Sequence, residues 1–379
     1  MALKHPDWWK QLAPRYAETR PRKMLALDGG GIRGLLTLGI LKKIEALVQS
    51  KGYPRLCDYF DYIGGTSTGA IIAAGLARGM SAQSLIDFYI KTGPDMFQKS
   101  RILDRLKYLY TGDPLREKLA EVFGSVTTLE PDYLNCLLLV VTKNITTDSP
   151  WPISSNPEAK YNDPTRKDCN LRIPLWHLVR ASTAAPVYFP PEVLPWDPTD
   201  QSKTFVFTDG GVTPYNCPAF LMYRMATEPR YALGWESGED KLLIVSVGTG
   251  EAPNLGTTAD SPDQNILTNV AGLPGNLMYS MQIDQDTNCR TVGRCTYGLP
   301  LDREIGDLIP GTAPMPARQF LYARYNADLS PAGLATIGFE NVDSAKIQKL
   351  DGVENMDTLL KIGDAVSTRV DAAHFGPFL

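Results

Sequence analysis

Twice near its start, this chain runs from a short apolar stretch into a glycine cluster and out again into a helical pattern. "RKMLALDGG" (residues 22–30) reads as a buried strand ending in glycines. "IRGLLTLGILKKIEALVQSKG" follows with leucine and isoleucine at helical spacing, and Gly52 stands where a helix would stop. "YFDYIGG" is a second strand, and "TGAIIAAGLARG" a second, small-residue-rich helix ending at Gly79. Strand, helix, strand, helix in that order predicts right-handed crossovers and a parallel sheet.

Three later runs extend the pattern. "LNCLLLVVTKN" and "KLLIVSVGTG" have the unbroken apolar character of strands covered on both faces, and "KTFVFTDGG" is a strand closed by a glycine pair. After Gly250 the composition shifts to "EAPNLGTTADSPDQN", a loop or linker, and beyond it the pattern is mostly helical, as in "NMDTLLKIGDAVSTRVDAAHF".

The formal net charge of −4 argues against a partner held by phosphate neutralisation, so no nucleic acid is expected. No stretch approaches the length of a spanning helix, and the N-terminus lacks a signal-peptide core. The six cysteines form no CxxC pair, which suggests neither a zinc site nor a disulfide framework. These features favour the cytoplasm.

The second glycine cluster holds Gly-x-Ser-x-Gly: Gly65, Ser67 and Gly69. Between a strand and a helix, this is the context of a nucleophile elbow. The turn is tight enough to need glycines two residues either side, and it presents the serine beside a helix N-terminus, where the Thr68 amide can meet an oxyanion. The plainer reading is a turn of small residues with a capping serine; the strand and helix around it favour the elbow.

The first cluster, "DGGGIRG" (residues 28–34), satisfies GxGxxG at Gly29, Gly31 and Gly34. A dinucleotide site also needs an acidic residue ending the next strand, and here that strand ends in "IGGTSTG". The same backbone donors suit a tetrahedral oxyanion formed by attack of Ser67 on an ester. The competing reading, a nucleotide-binding or regulatory module with Gly29–Gly34 as a phosphate cradle, would be revived by NAD or FAD absorbance in the purified protein.

A base for Ser67 is harder to place among three histidines. Ser67, Asp209 and His374 fall in the chain order of α/β-hydrolases, but His374 sits at the end of a surface helix near the C-terminus. His177 is read as a packing residue and His5 as part of a charged tail. Asp209 ends a strand and so emerges at the same sheet edge as Ser67 if the strands are parallel. Partial burial beside an apolar acyl pocket would raise its pKa toward that of a useful base.

Together "DGGGIRG", "GTSTG" and "DGG" resemble the three signature motifs of the patatin-like phospholipase family. "RASTAAPVYFPP" (residues 180–191) and "SVGTG" (residues 246–250) are similar to its internal segments. The resemblance covers roughly residues 23–250. It implies an α/β fold: a three-layer α/β/α domain around a mostly parallel sheet. An N-terminal segment (residues 1–22) precedes it, and a mainly helical C-terminal extension (residues 251–379) packs on it.

It further implies lipid acyl hydrolysis by a Ser67–Asp209 dyad without metal or cofactor, and an oxyanion hole from the backbone of Gly29, Gly30, Gly31 and Arg33. Gly34, Gly65, Gly69, Gly210 and Gly211 are then the motif glycines. Stand-alone bacterial members have similar extensions, and some resemble antiphage effectors switched on by cyclic nucleotides. An activating cyclic nucleotide is therefore an expectation here, and a homo-oligomer is a separate one. An acyltransferase or peptidase sharing the elbow is a third reading; an acyltransferase would ordinarily want a histidine base.

A lipid hydrolase without a spanning segment must meet its substrate as a peripheral protein at the membrane surface. "MFQKSRILDRLKYLYTG" (residues 96–112) interleaves Lys99, Arg101, Arg105 and Lys107 with Phe97, Leu103, Leu106, Tyr108, Leu109 and Tyr110, a basic amphipathic face if helical. Its alternative is an ordinary helix with its apolar face in the core. Trp8 and Trp9 are read either as an interfacial or dimer anchor or as aromatics docked on their own domain.

Overall fold

The apolar runs form strands of a single sheet in the computed structural model of the chain. It describes residues 3–96, 110, 113–197, 199–252, 266–302, 304–309 and 317–379. The strands are β1 (Arg22–Leu27), β2 (Tyr62–Thr66), β3 (Leu137–Asn144), β4 (Ser149–Ser154), β5 (Glu192–Pro195), β6 (Thr204–Asp209), β7 (Leu242–Val247), β8 (Arg294–Tyr297) and β9 (Leu321–Tyr325). They lie in the order β5-β6-β3-β2-β1-β7-β9-β8, with β4 beside β3. The pairs among β3, β2, β1, β7, β9 and β8 are parallel; β4, β5 and β6 enter antiparallel.

Side chains alternate across the sheet, and each face meets its own hydrophobic layer. Leu25, Leu27, Ile63, Leu138, Val140 and Val245 pack into one core. It is roofed by α1 (Gly34–Gln49), α2 (Thr68–Ala77), α3 (Ala82–Met96), α4 (Asp113–Phe123), α5 (Leu175–Ser182) and, far along the chain, a helix at Met356–Ser367. Met24, Ala26, Tyr62, Leu139 and Ile244 pack into the other, against α6 (Ala219–Thr227), the end of α7 (Ile266–Val292) and the N-terminal segment. The result is three-layered and mostly parallel. Every residue of β1 is buried, the apolar residues 24–27 as a strand under two helical layers must be and Arg22 and Lys23 ahead of them as well. Truncating Leu25 to alanine there would cost about 3–4 kcal/mol.

Two boundaries differ from the sequence reading. The second strand starts at Tyr62 because Leu56–Tyr59 forms a helical turn, with the Asp58 carboxylate accepting the Arg55 backbone N–H at 3.0 Å. The C-terminal residues supply β8 and β9 as well as helices. Both strands are short, and β9, "LYARY", buries an arginine, so its composition does not read as core.

The N-terminal segment docks at the sheet's opposite end from the glycine clusters. Trp9 is 1% exposed, stacks on Tyr16 and donates its indole N–H to Glu158 at 3.2 Å, so it is an aromatic docked on its own domain. Trp8 stacks on His5. The basic amphipathic stretch falls outside the described residues apart from Met96 and Tyr110, and so does most of the loop after Gly250.

Candidate active site

Ser67 sits between β2 and α2 with φ 54° and ψ −123°, the left-handed region a β-carbon resists, and it is held there by its neighbours. The two motif glycines make the turn possible by close approach. A β-carbon on Gly65 would lie 2.0 Å from the Gly69 carbonyl oxygen, and one on Gly69 would lie 2.3 Å from that of Leu27. The elbow is thus wedged against the end of β1.

Asp209 arrives by an unexpected route. β6 runs antiparallel to β3, so the parallel arrangement supposed from sequence does not hold. β4 occupies one edge of β3 from Leu139 to Asn144, so β2 and β6 share the other edge. They meet there end to end: Thr66 pairs with Val141 and Asp209 with Thr142. This brings the Ser67 Oγ to donate to Asp209 Oδ2 at 2.6 Å, while the Gly211 amide donates to Oδ1 at 2.7 Å. Burial pushes the Asp209 carboxyl up to about 6, against the opposing pull of Ser67, Gly211 and Arg180. A β-carbon on Gly210 would strike the Val141 carbonyl, which accounts for the first glycine after the aspartate.

Sequence reasoning left "RASTAAPVYFPP" without a role, and its start positions both residues. Ser182, the last residue of α5, accepts the Ser67 backbone N–H at 2.9 Å and donates to the Val141 carbonyl at 2.6 Å. The Ala184 carbonyl accepts the Asp209 N–H at 3.0 Å and the Thr208 hydroxyl at 2.7 Å.

The glycine loop lies across the mouth of the same site. Gly31 has φ +61°, and a β-carbon there would sit 2.1 Å from the Leu350 carbonyl oxygen. Of the four amides expected to form an oxyanion hole, two are engaged within the protein. Gly29 N–H donates to Asn216 O at 3.1 Å and Arg33 N–H to Gly30 O at 3.2 Å. The amides of Gly30 and Gly31 have no acceptor among the described residues, and both residues border the cavity holding Ser67 and Asp209. Gly34 begins α1, where a β-carbon would press on the Thr68 hydroxyl.

That cavity, about 120 Å³, is walled mainly by Ile71, Met96, Leu115, Phe189, Met278 and Leu350, and among the described residues neither lysine nor arginine lines it. A larger hollow of about 460 Å³ lies between the N-terminal segment and Trp235, away from this chemistry. The histidines are elsewhere. His177 pairs with Glu192 at 2.8 Å, His374 bonds the Tyr325 hydroxyl at 2.9 Å and stacks on Tyr297, and His5 stacks on Trp8. The chain-order triad ending in His374 is therefore not assembled. Among the described residues no cluster of three or more His, Cys, Asp or Glu is placed to hold a metal. Among the described residues, too, no helix is long and apolar enough to cross a membrane.

A serine on a strand–turn–helix elbow, bonded to a buried carboxylate beside free backbone amides, is the arrangement of a serine acyl hydrolase. A sequence model described as patatin-like phospholipase matches residues 25–223, and the chain belongs to that family of lipid acyl hydrolases. It is similar to a cGAMP-activated phospholipase of Vibrio cholerae, with 33% identity over 261 residues covering 64% of this chain and 68% of that one. It is similar also to Patatin-T5 of Solanum tuberosum, at 28% over 253 residues and 62% of each chain. Among solved structures, VipD from Legionella pneumophila aligns at a TM-score of 0.35 and 14% identity, covering 91% of this chain and 67% of that one.

Proposed function

We propose that this chain hydrolyses acyl esters of membrane phospholipids or lysophospholipids through a Ser67–Asp209 dyad. The 2.6 Å bond between Ser67 and Asp209 in an apolar cavity carries this reading. Ser67 Oγ attacks the ester carbonyl carbon while its proton passes to Asp209 Oδ2. The carbonyl oxygen becomes an oxyanion facing the Gly30 and Gly31 amides. Collapse expels the alcohol, which takes the proton from Asp209 and leaves an acyl-enzyme. Water then attacks the acyl carbon, giving its proton to Asp209, and Ser67 recovers a proton as the fatty acid departs.

The cavity's apolar wall suits an acyl chain, and among the described residues no lysine or arginine lines it. This weighs against the glycine loop as a nucleotide cradle. Apolar side chains also stand exposed at its rim. Val187, between the lining residues Pro186 and Tyr188, is 59% exposed, and Leu277, beside the lining Met278, is 53% exposed. They suit a protein that docks peripherally on lipid. The named activator of the Vibrio cholerae relative supports a second element of the reading, activation by a cyclic nucleotide.

The test is hydrolysis of a fluorogenic phospholipid in liposomes by wild type, Ser67→Ala and Asp209→Ala, with and without cyclic dinucleotides. Joint loss of activity in both folded variants supports the dyad. Retention of most of the rate by Asp209→Ala would overturn it.

A further inference from the structure

We propose that Thr249 is a positioning residue for the oxyanion site, acting through the peptide between Gly29 and Gly30. This rests on the dyad reading above. The Thr249 hydroxyl is buried and donates to the Gly29 carbonyl at 2.9 Å. That carbonyl and the Gly30 N–H belong to one planar trans unit, so they point in opposite directions. Holding the oxygen back toward Thr249 aims the Gly30 N–H the other way, and that amide has no acceptor among the described residues. A glycine peptide flips readily because no β-carbon restricts it, so its direction depends on what holds its oxygen. The other donor to this oxygen is weak: Asn216 Nδ2 reaches it at 3.4 Å.

Thr249 is itself fixed from both sides. The Gly248 carbonyl accepts the Thr37 hydroxyl at 2.7 Å, Gly248 N–H donates to Tyr325 O at 2.9 Å, and Gly250 N–H donates to Asn326 Oδ1 at 2.8 Å. The fit is close, because a β-carbon on Gly30 would lie 2.2 Å from the Thr249 hydroxyl oxygen. A second anchor precedes the loop. Arg324 holds the buried Asp28 carboxylate at 2.7 and 3.3 Å, and Gln282 reaches it at 3.2 Å. Thr249, Tyr325, Asn326 and Arg324 all lie beyond residues 25–223, so the loop is aimed by parts of the chain outside the family match.

The experiment compares full-length wild type, Thr249→Val and Thr249→Ser. It uses a short-chain soluble ester and the rate at which a fluorophosphonate labels Ser67. Valine keeps the shape and deletes the hydroxyl; serine keeps the hydroxyl. Losing one oxyanion donor costs about 100- to 1000-fold in kcat elsewhere, so a misaimed one should cost about 10- to 100-fold. Thr249→Val is expected to lose that much kcat and labelling rate, with KM within about twofold and the acid limb of the pH profile unmoved. Thr249→Ser is expected to stay within about threefold of wild type. If the valine variant does not fold, Thr249→Ala against Thr249→Ser isolates the same hydroxyl. Equal kcat in valine and wild type, or equal losses in valine and serine, would overturn the assignment while leaving the dyad intact. A wild type that neither hydrolyses the ester nor labels at Ser67, with or without cyclic dinucleotides, would overturn the dyad, and this assignment with it.

Discussion

Ser182 Oγ accepts the backbone N–H of Ser67 at 2.9 Å and donates its own O–H to the Val141 carbonyl at 2.6 Å. The hydroxyl ties the elbow to the strand on which the Asp209 strand also rests. Ser182→Ala leaves the Ser67 amide without its acceptor and loosens a residue held at positive φ. We expect a loss of about 1–2 kcal/mol in stability and about tenfold in kcat, with KM little changed. Denaturant unfolding and ester kinetics on the same preparation check this.

Because burial sets the Asp209 carboxyl near 6, kcat/KM should fall about tenfold per pH unit below that value and level off above it. A profile flat from about pH 4 to pH 8 would contradict Asp209 as the base.

The same carboxyl makes a stability prediction of opposite sign to the usual aspartate. Between about pH 4 and pH 6 the folded chain keeps a proton that the unfolded chain has lost. Stability therefore falls as pH rises through that window, by about 3 kcal/mol in total. Asp209→Asn removes this loss, so the variant should be more stable than wild type at about pH 8, with the difference vanishing near pH 4. Thermal melts at both pH values test it.

At the far end of the sheet, the buried Asp61 gathers three arginines. Arg15 reaches its carboxylate at 3.2 Å, Arg22 at 3.6 Å, and Arg20 is hydrogen-bonded to it. Arg15 also donates to the carbonyls of Cys57, Asn135 and Phe60. Asp61→Asn leaves Arg15 and Arg22 without their carboxylate, while Arg20 keeps Glu18 at 3.3 Å, and should cost about 3–5 kcal/mol. Limited proteolysis should then cut first within the N-terminal segment.

Gly31→Ala is expected to abolish activity for two reasons. The residue needs φ +61°, and its β-carbon would meet the Leu350 carbonyl. Labelling of Ser67 by a fluorophosphonate, compared with wild type at matched folded fraction, measures the loss.

The parallel core was legible because β1, β3 and β7 each hold an apolar run of four or more residues and β1 and β2 lead into glycines before a helix, and Ser67 because its glycines punctuate a strand and a helix. Asp209 was legible as a strand end, yet the direction of its strand was not. Antiparallel entry is decided by pairing along β3, which local pattern does not encode. Ser182, Ala184 and Thr249 were invisible as site residues because they act through backbone groups of others. Any small polar residue reads the same in sequence whether or not such a group lies opposite. β9 was missed because Arg324, which pairs with Asp28 in the interior, interrupts its apolar pattern.

The end-to-end meeting of β2 and β6 makes β3 a ruler. Ser67 and Asp209 stand at the ends of separate strands, and their separation is set by the single step from Val141 to Thr142. One residue inserted at that step would slide the two strands apart by about 3.3 Å. The sheet would remain continuous, yet the hydroxyl would no longer reach the carboxylate. In this fold, the distance from Ser67 to Asp209 is counted in residues of a strand that carries neither of them.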